Sequence, residues 1–565
     1  MTRATTTLAL LLWVARLAPA QDMLSINQPI EREIVAGTAH AYTILLNAGD
    51  YVAGSVDQRG IAVLAVAILP DGSRFRGFPG PPTGKRPFAF IAETPGLYRL
   101  ELRAPTQAEA AQNGGQQAAK GSYEVRVIEK LSSDERLKPG PRPDKFASPT
   151  IEQLRTQLAG GQRQTEAFWR QAAQSGTPLI EPLDKDRQHT LVTFIWRGTP
   201  ETHNVVVFGS FATRPLTEYA MTQVGSSDVW YLTLRLPSGA RFAYSLSPND
   251  PLSDGPQAWA QRLATFQGDP LNPHRWGCGP AASRYECQSM VELPGAPPQP
   301  WIIRNAETPT GKVDKHVIKS DLLKNERNLS VYTPPNYRPD GTPYALLLVF
   351  DEGAYLSNVP TPVILDNLIA ALKIPPTVAV LIANPSQEAR SKELPPNPVF
   401  AEFLAQELMP WVHAHYHVTR DPRQTVVAGS SFGGIAATYA GLRHPEVFGN
   451  ILCQSGSFLW APDHVPGPDA DVDATTETGW LAKEFIKSPR LPLTFWMDAG
   501  VFEVDSRGNG GSILEPSRHM RDVLLAKGYT VHYQQFISGH DYLNWRGTLA
   551  DGLITLIGTS HDTKK

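Results

Sequence analysis

Between residues 22 and about 130, apolar and polar positions alternate in short runs. These are Tyr42 to Leu46, Ala62 to Leu69, Phe88 to Ile91, Gly96 to Leu102 and Ser122 to Val127. A period of two, interrupted by turn signals such as Pro70-Asp71-Gly72, predicts a small β-sandwich. Residues 131 to 149 are polar and Pro-rich and read as a linker. A helix is expected from Ile151 to Gln174, weakened at Gly160-Gly161. From about residue 186 the strand pattern resumes with Leu191 to Trp196, Asn204 to Phe208, Val229 to Leu234 and Arg241 to Tyr244, which predicts a second sandwich ending near residue 300.

From about residue 310 the pattern changes. Ala345 to Phe350 and Thr377 to Ile382 are uninterrupted apolar runs, as expected of parallel strands buried on both faces. Helical periodicity appears in Val363 to Leu372, Phe400 to Val412, Ile435 to Arg443 and Leu514 to Lys527. Strands are expected at Thr425 to Ala428, Asn450 to Gln454, Leu493 to Met497 and Val531 to Phe536. This alternation predicts a mostly parallel sheet with helices on both faces. The chain is thus read as multidomain, with segments 1–20, 22–130, 131–185, 186–300 and 310–560.

The first segment carries its own message. Arg3, the apolar stretch Leu8 to Val14 and Ala18-Pro19-Ala20 read as a secretory signal peptide, expected to be cut near Gln21 and too short to span a bilayer. A periplasmic or secreted location follows, with no membrane span. The 565 residues hold 52 Lys+Arg and 55 Asp+Glu, a formal charge of -3, which gives no electrostatic case for nucleic acid as a partner. Only three Cys are present, too few for a disulfide framework. Cys278 and Cys287 flank a short Gly/Pro/Ser loop and are expected to bridge it in an exported chain. Cys453 lies in an apolar run and reads as an inert buried thiol.

The strongest chemical signal is Gly429-Ser430-Ser431-Phe432-Gly433. A G-x-S-x-G match alone is weak, but this one follows a strand and opens a helix. That is the sharp elbow on which an α/β-hydrolase presents a strained serine nucleophile. Such hydrolases order their residues Ser, acid, His. His540 stands just beyond the last strand and is the candidate base. The acid is expected on the loop after Leu493 to Met497: Glu503 is preferred, with Asp498 and Asp505 as alternatives. His413, His415 and His417 are spaced by two and cannot share one helix face, which argues against a metal comb. The oxyanion is assigned to the backbone N–H groups of Phe432 and of the loop near Gly353. This chemistry needs no cofactor and no metal.

Four segments resemble the enterochelin (ferric enterobactin) esterase family, within the esterase D-like α/β-hydrolases. They are Arg390 to Val412, the elbow GSSFGG with Gln454 to Trp460, the AGVFE loop, and Ser538 to Leu553 with its GHD-x-x-x-WRG run. Upstream, FWRQAAQSGTP, VTFIWRG, SDVWYLTL and DPLNP look like that family's N-terminal sandwich. Residues 22–130 resemble bacterial pre-peptidase C-terminal-type accessory domains. The resemblance implies Ser431 as nucleophile, His540 as base and Glu503 as orienting acid. It also implies a positively charged, aromatic cleft for a ferric catecholate siderophore, with Arg390, Lys392, Trp460 and Trp545 as substrate contacts. The export signal and the first sandwich depart from the family's usual pattern.

The expected function is therefore an exported serine esterase that opens a siderophore-like (tri)lactone through an acyl-enzyme. A carbohydrate esterase removing acetyl or feruloyl groups is the alternative, with the first sandwich holding a glycan or surface ligand. A catalytically silent binding protein is a third reading.

Overall fold

The structure is a computed structural model. It describes residues 22–78, 80–81, 83–112, 118–133, 147–161, 164–183, 185–213, 215–253, 256–279, 282–462, 479–504 and 512–559. The signal segment and Asp505 lie outside these residues. The chain divides into two units, residues 1–135 and 136–565.

In the first unit, one sheet orders its strands Asp22–Met23, Ala39–Leu46, Gly96–Arg103, Leu64–Ile68 and Arg74–Phe78. The second orders Ile30–Val35, Lys120–Leu131, Tyr51–Arg59 and Gly84–Ile91. The period of two decides which side chains go inward: Tyr42, Ile44 and Leu46 are buried, while Leu45 between them is exposed.

The second unit begins with helices Pro149–Ala159 and Glu166–Ser175 rather than one continuous helix. The break falls at Gly160-Gly161, where Gly161 takes φ +95°, a conformation open to glycine. A sandwich follows, and it starts earlier than residue 186. The edge strand Leu179–Pro182 pairs antiparallel with Thr190 to Thr193. Its two sheets order Leu179–Pro182, His189–Arg197, Val229–Pro237, Thr222–Gln223 and Val205–Gly209, Arg241–Pro248, Gln288–Glu292, Arg275–Trp276. Phe194, Phe211, Phe242 and Tyr244 interlock at its centre.

The largest sheet has eight strands, in the order Lys312–Ser320, Asn325–Thr333, Thr377–Ile382, Ala345–Phe350, Thr425–Ser430, Asn450–Gln454, Thr494–Gly500 and Thr530–Phe536. The pairings that join the first three strands are antiparallel, and all later pairings are parallel. Leu346, Leu348 and Phe350 enter one core layer, whereas Ala345, Leu347 and Val349 enter the layer on the opposite face. That split explains the unbroken apolar run. The parallel strands all point the same way, so the loops after Thr425–Ser430, Thr494–Gly500 and Thr530–Phe536 gather at one sheet edge. Among the described residues, no helix is long and apolar enough to cross a membrane.

Candidate active site

Ser431 sits between strand Thr425–Ser430 and helix Phe432–Arg443, at φ 58° and ψ −121°. A non-glycine residue is held there only when its surroundings over-determine it. They do so here. The Ser431 N–H donates to the Gln454 carbonyl at 2.9 Å, and the Ser457 N–H donates to the Ser431 carbonyl at 3.1 Å. The turn is tight enough to exclude side chains: a Cβ on Gly429 would lie 2.6 Å from the Gly433 backbone, and one on Gly434 would lie 2.9 Å from Cys453 Sγ. Phe432 opens the helix, so its N–H has no intrahelical acceptor and points with the positive end of the helix dipole. The Ser431 hydroxyl pairs with the Ser457 hydroxyl at 3.3 Å.

His540 follows strand Thr530–Phe536, with its side chain 39% exposed. Its Nδ1 meets Glu503 Oε1 at 2.7 Å, and the Glu503 side chain is only 1% exposed. The other carboxylate oxygen, Oε2, accepts the Gly500 N–H at 2.8 Å. Both oxygens of this buried carboxylate are therefore committed, and the imidazole is oriented.

Asp498 is placed differently from Glu503. It is the fifth residue of Thr494–Gly500, fully buried, and its Oδ1 accepts the Ser455 N–H at 3.0 Å. Burial first, then the neighbouring Glu503 charge, pushes its carboxyl up to about 8, against a hydrogen bond from Thr548. Among the described residues, its Oδ2 finds no partner of normal hydrogen-bond geometry. Asp498 is not paired with His540.

Two of the four residues read as substrate contacts, Arg390 and Trp545, occupy other roles in the geometry. Arg390 is bound bidentately to Asp351, at 2.7 and 2.8 Å, with its guanidinium 5.8 Å from the Phe432 ring centre. Burial opposes its charge, but the Asp351 hydrogen bonds and charge outweigh that and raise its pKa. Trp545 is a correction. It is 2% exposed, its Nε1–H donates to Ser455 Oγ at 3.0 Å, and its ring stands against His540, so it supports the imidazole instead of meeting a ligand. Lys392 is exposed and paired with Glu388 one turn earlier. Trp460 is half-buried and packs edge-on against Trp480. Gly353 lies exposed in the first turn of helix Glu352–Ser357.

Ser455 and Ser457 were not singled out by sequence, although both lie in the QSGSF run. Their partners, Trp545 and Ser431, lie 90 and 26 residues away, a relation that one-dimensional spacing does not carry.

Cys278 and Cys287 are disulfide-bonded. Cys453 is fully buried, and burial pushes its thiol up to about 12. The three histidines bond separate backbone carbonyls: His413 that of Thr419, His415 that of Trp411, and His417 that of Gly341. Cavities of about 450 and 260 Å³ flank the second sandwich, lined by Trp169, Arg170 and Asp269 and by Pro178, His274 and Met290 respectively. Neither is lined by Ser431 or His540.

Comparison with known proteins agrees with this architecture. Residues 320–556 match the putative esterase family, and residues 191–302 match the N-terminal domain of enterochelin esterase. The iron(III) enterobactin esterase of Dickeya dadantii is 31% identical over 437 residues, covering 71% of this chain and 95% of that protein. The protein of the same name from Escherichia coli O6:H1 is 32% identical over 386 residues, covering 65% of this chain and 90% of that one. The crystal structure of ferric enterobactin esterase from Salmonella typhimurium superposes with a TM-score of 0.57 at 28% identity, over 69% of this chain and 98% of that one. Two domain matches in the family's order, and relatives aligned over nearly their whole length, place this chain in the enterochelin esterase family, as an ester hydrolase.

Proposed function

We propose that this protein hydrolyses the ester bonds of ferric enterobactin or a closely similar siderophore, with Ser431 as nucleophile, His540 as general base and Glu503 as the acid that orients it. The observation that carries the assignment is the His540–Glu503 pair at 2.7 Å, on loops at the same sheet edge as the strained Ser431. The substrate comes from the relatives, which are named as iron(III) enterobactin esterases. One related structure, from Shigella flexneri, was determined in the presence of enterobactin.

In this mechanism the Ser431 hydroxyl leaves Ser457 and turns to His540 Nε2. It attacks the ester carbonyl as Nε2 takes its proton, and Glu503 holds Nδ1–H and stabilises the imidazolium. The oxyanion is received by the Phe432 N–H and by the N–H at Gly353, each worth about 3 kcal/mol of barrier. His540 then returns the proton to the leaving alcohol. Water, deprotonated by the same imidazole, releases the acid product from Ser431. Lys392 and Trp460, both reachable from solvent, are the substrate contacts in this reading, while Arg390 acts behind them by fixing Asp351 and the turn before Gly353.

Export belongs to the same proposal. It is supported by Arg3, the apolar run from Leu8 to Val14, Ala18-Pro19-Ala20, and the Cys278–Cys287 bridge. No observation favours acetyl or feruloyl glycan esters, or a glycan on the first sandwich.

The test is incubation with ferric enterobactin while released 2,3-dihydroxy-N-benzoyl-serine is followed by liquid chromatography. Wild-type protein should release it, and Ser431→Ala should not. Product formation by Ser431→Ala at more than a few per cent of the wild-type rate would overturn the serine assignment.

A further inference from the structure

The loops that carry His540 and Glu503 are fastened to the second sandwich at several points. The Arg241 N–H donates to the Ile537 carbonyl at 3.1 Å. Asp541, next to His540, caps the final helix by accepting the Leu543 N–H at 2.6 Å through Oδ1. Its Oδ2 accepts the Ala243 N–H at 3.3 Å and the Ser210 hydroxyl at 3.5 Å. Gly539 is pressed onto the sandwich so closely that a Cβ there would lie 2.1 Å from the Ser210 carbonyl oxygen. Ile537 and Phe502, the residue before Glu503, are partly buried against the sandwich core of Phe194, Phe211 and Phe242. The two loops are also joined to each other, because the Phe502 N–H donates to the Ser538 carbonyl at 2.9 Å.

Loops of this kind are ordinarily the mobile part of a scaffold, yet an acid–base pair must hold its geometry closely. We infer that the second sandwich is a positioning element for catalysis: Ser210, Arg241 and Ala243, acting through Gly539, Ile537 and Asp541, set where the His540 imidazole and the Glu503 carboxylate stand. The inference rests on reading His540 and Glu503 as base and acid. It differs from a role in holding substrate, because none of these contacts needs a ligand. Asp541 is a positioning residue in this scheme. Its carboxylate faces the sandwich and the helix N-terminus, so it acts on the reaction only through the loop it fixes.

The experiment uses the full chain and two wedges. Gly539→Ala drives a methyl into the Ser210 carbonyl. Gly239→Ala works from the sandwich side, where its Cβ would stand 3.1 Å from Ile537 Cδ1. Ile537→Val removes that methyl and serves as the rescue. Rates are read on p-nitrophenyl butyrate, a small ester, and on ferric enterobactin, with circular dichroism to check folding. Gly539→Ala should lower kcat about tenfold or more on both substrates, with KM within about threefold. Gly239→Ala should lower kcat several-fold, and adding Ile537→Val should restore it to within about twofold of wild type. If Gly539→Ala does not fold, the Gly239→Ala and Ile537→Val pair decides alone. Unchanged kcat in the folded variants, or a loss confined to KM for ferric enterobactin, overturns the inference. Activity surviving in Ser431→Ala would instead strike at the serine reading, so the two failures are distinguishable.

Discussion

Trp545 stands perpendicular to His540, with ring centres 4.8 Å apart and an interplanar angle of 90°, while its Nε1–H is held by Ser455 Oγ. The imidazole thus has Glu503 at Nδ1 and a buried indole at its side. Ser455 itself is strained, at φ 45°, and its N–H is held by Asp498. A chain of contacts therefore runs from the strand end at Asp498 through Ser455 and Trp545 to the ring of His540.

Trp545→Phe should test this support. It keeps an aromatic ring beside His540 but strands the Ser455 hydroxyl in a buried site, at a cost of about 1–3 kcal/mol in stability. Turnover should drop a few-fold. Trp545→Ala removes the ring altogether and should cost about 3–5 kcal/mol with a much larger fall in kcat. Urea denaturation and steady-state rates measure both. A Trp545→Ala protein that kept wild-type kcat would show that the indole does not hold the imidazole.

Glu503→Gln should lower kcat by at least about tenfold. The Gln amide can still accept the Gly500 N–H through its oxygen, which leaves its NH₂ facing His540 Nδ1. That places the proton on Nε2, the nitrogen that must accept one from Ser431. Asp498→Asn should stay within a few-fold of wild type, because Asp498 faces Ser455 and not the imidazole. Equal losses in the two variants would mean that the acid role is shared.

The parts of the fold legible in sequence were those fixed by local pattern. Ala345 to Phe350 reads as a doubly buried strand because both faces are apolar, and the elbow reads from Gly429, Ser431 and Gly433 between a strand and a helix. What stayed hidden depended on contacts between distant residues. Arg390 looks like a free cation in sequence, yet its partner Asp351 lies 39 positions away across the sheet edge. Trp545 looks like an aromatic contact, and only packing shows it buried. The strand Leu179–Pro182 has no clear sequence signature, because four residues ending in proline carry little periodicity, and it forms by pairing with Thr190 to Thr193.

Loss of the Cys278–Cys287 bridge should destabilise the second unit without touching the chemistry. The bridge closes a loop with a sequence separation of 9, for which chain entropy gives about 2–3 kcal/mol. Cys278→Ser with Cys287→Ser should therefore unfold at lower urea while keeping kcat and KM. Unchanged urea midpoints would show that the bridge adds nothing to the folded state, and lost turnover at full stability would tie the loop to the active site.

The buried carboxyl of Asp498 should make stability fall as pH rises. In the unfolded chain this group titrates near the ordinary value of 3.8, whereas in the folded protein it holds its proton up to about 8. Between these values the folded state binds a proton that the unfolded state has lost, so stability declines with increasing pH, by at most about 1.4 kcal/mol per unit. Below pH 4 the contribution is fully present, and above 8 the slope from this group ends. Asp498→Asn removes the titration while keeping an oxygen to accept the Ser455 N–H. Other buried acids, among them Asp541 and Asp269, also have raised values, so the wild-type curve alone does not isolate Asp498. The difference between wild type and Asp498→Asn does. Urea unfolding at pH 5, 6, 7 and 8 should show the variant gaining on wild type at each step. A difference that stayed constant across that range would mean that Asp498 is already ionised at pH 5 in the folded protein.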